Sequence, residues 1–152
     1  MKATSLLKLF LSALLGLVLA PSCVAQANLA GNWEGDLNAG GTTFHIVWHA
    51  VAAADGTLTS TFDNVDQNIY GIKVKTTTLK GSDLTMSVDD TVNINGQDVS
   101  IRGDLAGTIS ADGNKLTGTW TQTEPAEPPL PIELKRSVAP ATTEPAPKSP
   151  SS

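Results

Sequence analysis

Two stretches decide the fold: Leu29-Ala-Gly-Asn-Trp33-Glu-Gly35 and, far along the chain, Leu116-Thr-Gly-Thr-Trp120. In each, a Gly-x-Trp stands in an alternating run of apolar and polar residues, the mark of a half-buried strand. Asp-Gly turns lie between them, in Ala54-Asp-Gly-Thr57 and in Ala111-Asp-Gly-Asn114. Strand, tight turn and strand, repeated, make an antiparallel meander. A long meander closes on itself, and the closed barrel either fills its interior or leaves it hollow.

Outward from these motifs the period of two persists. Phe44, Ile46, Trp48 and Ala50 share one face of a strand, and His45, Val47 and His49 the other. Leu58, Ser60 and Phe62 follow the Asp55-Gly56 turn, and Asp63 to Gly71 reads as a longer connection. Ile72, Val74 and Thr76 then alternate against Lys73 and Lys75. Leu84, Met86 and Val88 lead through Val92 and Ile94 to Asn95-Gly96, the strongest short hairpin signal. Val99, Ile101, Leu105 and Ile109 leave it. A Pro-rich extended loop over 124–131 precedes a last strand bearing Ile132, Leu134 and Arg136. No stretch holds helical spacing. The expectation is an all-β, antiparallel up-and-down β-barrel of eight to ten short strands, with a two-sheet β-sandwich as the alternative.

The flanks differ in composition. Lys2 and Lys8, the apolar run Leu9–Ala20, Pro21 and the small-x-small Ala25-Gln-Ala27 read as a cleaved secretory signal peptide over 1–27. A spanning helix would need about 20 apolar residues. Cys23, the only cysteine, precedes the expected cut, and Pro21 fits a lipoprotein signal poorly. The barrel domain is expected over 28–137. Residues 138–152 are rich in Pro, Ala, Ser and Thr and read as a disordered tail. The expected location is the periplasm or the extracellular space.

Removing Lys2 and Lys8 from ten basic residues leaves eight against fifteen acids, a balance of −7. Nucleic acid has no electrostatic footprint here. An anionic membrane surface is an equally poor partner.

The Gly31-Asn-Trp33 motif resembles the opening strand of calycin barrels, the lipocalins and avidins. For the avidins, Gly41-Thr-Thr-Phe44 and Ala54-Asp-Gly-Thr-Leu58 extend the likeness, but Gly35 stands where those proteins have an Asn that contacts biotin. In lipocalin-like barrels an Arg of the last strand covers the Gly-x-Trp indole, which implies Arg136 over Trp33 as barrel closure. A wider resemblance runs through Trp33-Glu-Gly-Asp-Leu37, Asp66-Gln-Asn68, Gly107-Thr-Ile-Ser-Ala-Asp-Gly113, Gly118-Thr-Trp-Thr-Gln122 and Pro131-Ile-Glu-Leu-Lys-Arg136. It is similar to the β-rich domain preceding the catalytic domain of exported bacterial α/β-hydrolases. No Gly-x-Ser-x-Gly elbow occurs here, so the resemblance implies an accessory domain without hydrolase activity.

Other chemistry has weak footing. His45 and His49 share a face, but on a strand they stand about 13 Å apart, too far to share one zinc ion without a bulge. Asp63, Asp66, Asp89 and Asp90 show no calcium-loop spacing and read as turn and loop solvation. No nucleophile, base and orienter can be assembled, so the protein is expected not to be an enzyme and to need no cofactor or metal.

Two functions remain. A hollow barrel would bind a small hydrophobic or amphipathic ligand, with Phe44, Trp48, Phe62, Tyr70, Met86 and Trp120 as candidate contacts. Tyr70 enters through the 63–71 connection, where an entrance or partner surface is expected. Small inward residues, Gly35, Ser60 and Gly118, argue for interior space. A filled barrel would instead be an interaction module for an exported enzyme or envelope partner.

Overall fold

The computed structural model describes residues 29–137. The expected signal peptide, Cys23 and the tail over 138–152 lie outside the described residues. Eight strands make up the domain: β1 (Gly31–Ala39), β2 (Thr42–Ala52), β3 (Leu58–Asn64), β4 (Ile69–Lys80), β5 (Asp83–Ile94), β6 (Gln97–Ile109), β7 (Lys115–Glu124) and β8 (Leu130–Ser137). Each pairs antiparallel with the next, and β8 pairs back onto β1, closing an up-and-down barrel. This is the all-β architecture of calycin-like barrels, and the sandwich alternative is set aside. Among the described residues no helix is long and apolar enough to cross a membrane.

The turns follow from local chemistry. Asn95 and Gly96 both take positive φ, 54° and 84°, as a two-residue hairpin of primed type requires. The Asp-Gly turns carry internal caps: the Asp55 carboxylate accepts from the Thr57 N–H at 3.0 Å, and Asp112 accepts from the Asn114 N–H at 3.1 Å.

The apolar face of each strand points inward. Trp33, Trp48, Leu84, Leu116 and Leu134 are fully buried. Trp33 and Trp48 pack with ring centroids 5.6 Å apart, and Phe62 stacks on Trp48 at 6.2 Å. Alternation breaks in one place that the sequence conceals. The β4–β5 register shifts between Val74 and Thr76. A bulge inserts one residue and reverses the phase of everything beyond it. Thr76, expected on the face of Ile72 and Val74, is therefore exposed and hydrogen-bonds Ser87 at 2.6 Å. Thr77 and Leu79 turn inward instead.

The connection expected over 63–71 is shorter than that. Asp63 and Asn64 complete β3, Ile69 opens β4, and only Val65–Asn68 lies between. Asp63 fixes this corner by accepting from the Gly71 N–H at 2.8 Å. Asp66 does the same across to β2, accepting from the His45 N–H at 2.6 Å.

The glycines reverse one expectation. A Cβ at Gly35 would stand 1.8 Å from the Glu133 carbonyl oxygen, and at Gly118 2.4 Å from that of Ala106. These positions are small because neighbouring backbone occupies the space, so they supply no interior room.

Candidate functional site

Strand direction separates the barrel into two ends. The starts of β1, β3, β5 and β7 and the ends of β2, β4, β6 and β8 meet at one of them. There Trp33 is sealed. Its Nε1–H donates to the Leu29 carbonyl at 3.0 Å, and the Arg136 guanidinium lies 4.3 Å from its ring centroid. Arg136 also donates to the carbonyls of Ala30, at 2.6 Å, and Gly113, at 3.1 Å. One guanidinium thus ties the chain leading into β1, the β6–β7 turn and the last strand. Burial pushes the Arg136 pKa down from its ordinary value.

The opposite end is open. A cavity of about 320 Å³ occupies it. Its walls are apolar: Leu37 and Ile46 from β1 and β2, Phe62 from β3, Ile69 and Ile72 from β4. Val88 and Ile94 come from β5, Val99, Ile101 and Leu105 from β6, Trp120 from β7 and Ile132 from β8. Its polar positions are Asp63, Asn64, Gln67, Gln122 and Glu127. Several of these bind one another or the loops. The Asn64 amide donates to the Gln67 side-chain oxygen at 2.8 Å, and the Gln122 amide donates to the Pro125 carbonyl at 3.0 Å. Trp120 Nε1–H points to the Gln122 side-chain oxygen at 3.3 Å.

Part of this wall is a free ribbon. The β4–β5 ladder ends at Val74 and Val88, and the β6–β7 ladder ends at Arg102 and Glu124. The β5–β6 ladder continues to Ile94 and Gln97. The hairpin tip therefore overhangs the cavity, held by a side-chain substitute for the missing ladder: the Lys73 N–H donates to the Asp90 carboxylate at 2.9 Å. At its base Arg102 reaches Asp89 at 2.9 Å and also pairs with Glu124. The bond from Arg102 is the chief reason the Asp89 carboxyl sits below its ordinary pKa, with Lys75 second.

Among the residues expected as ligand contacts, Phe62 and Trp120 line the cavity. Trp48 and Met86 are buried in the core and Phe44 packs half-buried against it, none of the three on the cavity wall. Tyr70 is 58 % exposed and lines a separate outer cleft with Asn68, Lys73 and Thr91, in the gap left between β4 and β5. For Trp48 and Met86 the reason is height along the axis, since both sit toward the sealed end, where inward side chains fill the barrel. Phe44, paired with Leu37 at the open end, packs against the core instead. Tyr70 is turned outward between buried Ile69 and Ile72, where the β3–β4 register shifts.

His45 and His49 lie on the outer surface of β2. His49 is held between Asn32, 2.9 Å from Nδ1, and Asp63, 2.8 Å from Nε2. Both ring nitrogens are thereby engaged. Among the described residues no group of three or more His, Cys, Asp or Glu is placed to hold a metal ion. No protein family, no curated protein and no solved structure matches this chain.

Proposed function

We propose that this protein is an exported, non-catalytic barrel that holds one small amphipathic molecule in its open half. The observation that carries the reading is the 320 Å³ cavity, walled by aliphatic side chains, Phe62 and Trp120 and fringed by amides and carboxylates. Its volume falls at the lower end of small-molecule pockets, and the pattern of apolar wall with few polar groups is that of ligand sites. The sealed end, where Trp33 and Arg136 meet, would leave one way in. Export rests on the Lys2–Ala27 pattern alone.

Trp120 is the only tryptophan on the cavity wall. A brominated long-chain alcohol is expected to quench Trp120 fluorescence, and Trp120→Phe to abolish most of the quenching. Ile101→Phe, which fills the cavity from the ribbon, is expected to weaken binding at least about tenfold. Quenching that survives both changes would sink the reading. Native mass spectrometry of protein purified from its own cell envelope gives a second readout: a co-purifying molecule released by organic solvent supports the hollow barrel.

A second reading is an accessory domain serving an exported hydrolase or envelope partner. The resemblance spread over Trp33–Arg136 supports it, and a bare mass with no quenching would favour it.

A further inference from the structure

Resting on the hollow-barrel reading, we propose that the cavity selects amphiphiles whose polar end is cationic, such as long-chain alkylammonium ions, and discriminates against fatty acids. Two observations carry this. The ionisable side chains on the cavity wall are Asp63 and Glu127, both carboxylates, with no Lys, Arg or His among the lining residues. The four connections at the open end, over 40–41, 65–68, 95–96 and 125–129, contain Asp66 and Glu127 and again no cationic residue.

The nearby cations are directed elsewhere. Arg102 and Lys75 are engaged by Asp89 and Glu124. Lys73 borders the outer cleft with Tyr70 rather than the cavity. Asp63 spends its two oxygens on His49 and the Gly71 N–H. Glu127 differs: its backbone N–H bonds Gln122 at 3.2 Å, while its carboxylate makes no hydrogen bond or ion pair with the described residues. An apolar tail would lie against Ile72, Leu105 and Trp120, leaving its head among Gln67, Gln122 and Glu127. A carboxylate head there would meet like charge with no compensating cation, whereas an ammonium would meet Glu127 and the acidic field of the mouth.

The test compares dodecylamine, dodecanol and dodecanoate, each below its micelle concentration, by Trp120 quenching and calorimetry at neutral pH and low salt. The expected order is amine tightest, alcohol next and acid weakest, with about tenfold or more between amine and acid. That gap should shrink as salt rises toward about 0.5 M, because screening weakens exposed charge pairs. Glu127→Gln should reduce the preference for dodecylamine over dodecanol about threefold. Dodecanol that binds while dodecanoate matches or exceeds dodecylamine would overturn the inference and leave the hollow barrel standing. Failure of dodecanol to bind would remove the hollow barrel itself, and this inference with it.

Discussion

The Arg136 guanidinium lies over the Trp33 indole, 4.3 Å from its centroid, and the two residues are partners across the β1–β8 seam. The seam joins the first strand to the last, so the barrel is closed by contacts between residues far apart in the chain. Such a contact is costly in loop entropy to form and needs strong local reward. Here the reward is a half-buried cation on an aromatic face plus hydrogen bonds to two backbone carbonyls.

Arg136→Ala is therefore expected to lower stability by about 2–3 kcal/mol, from the lost cation–π contact and the orphaned Ala30 and Gly113 carbonyls. Arg136→Lys should recover only part, because an ammonium cannot lie flat on the ring while reaching both carbonyls. Urea denaturation measures both. A loss below about 0.5 kcal/mol for the alanine variant would show that the seam does not depend on this residue.

Gly35→Ala should prevent folding or cost about 3 kcal/mol or more. Its Cβ would enter the Glu133 backbone oxygen, which cannot swing aside as a flexible side chain could. A near-native melting curve by circular dichroism would contradict the close approach of β1 and β8.

Ser60→Ala should be neutral or stabilising by up to about 1 kcal/mol. The Ser60 hydroxyl is buried and has no hydrogen-bond partner among the protein atoms described, so its removal relieves a desolvation cost. A destabilisation above about 1 kcal/mol would mean that the hydroxyl is hydrogen-bonded after all.

Acid should lower the stability of the barrel in a predictable window. Asp55, Asp89, Asp112 and Glu133 all have carboxyl pKa values lowered in the folded state. The leading causes are the Thr57 hydroxyl, Arg102, the Ser110 hydroxyl and Lys115 respectively. A depressed folded pKa means the unfolded chain binds more protons as pH drops. Their stabilisation is thus complete above the ordinary carboxylate range and is lost as pH falls through the lower folded values. Denaturation midpoints should be flat from neutrality to about pH 5 and fall below it. Asp112→Asn should flatten part of the fall. A midpoint that stays constant or rises on acidification would contradict the assignment.

Much of the fold is legible in residue order. Asn95-Gly96 demands a two-residue hairpin, and Leu84-Thr-Met86-Ser-Val88 can bury only one of its faces. Trp33 and Arg136 have matching inward parity on the first and last strands. The cavity was less legible. Phe62 and Trp120 border it, but so do Leu37, Ile94, Val99 and Ile101, which alternation marks as inward without showing which lie above the packed core. Glu127 carries no local signal at all, since it sits in a Pro-rich loop whose position over the mouth comes from the β7–β8 pairing.

The sequence by itself determined the strand period, the turns and the compartments of apolar and polar surface, because these depend on neighbours two to four residues apart. Only the tertiary structure decided the bulge that turns Thr76 outward, the glycines pressed against facing backbone, and the cavity above Trp48. Those follow from how eight strands are staggered around one axis, a property of all the pairings together and of no single stretch of chain.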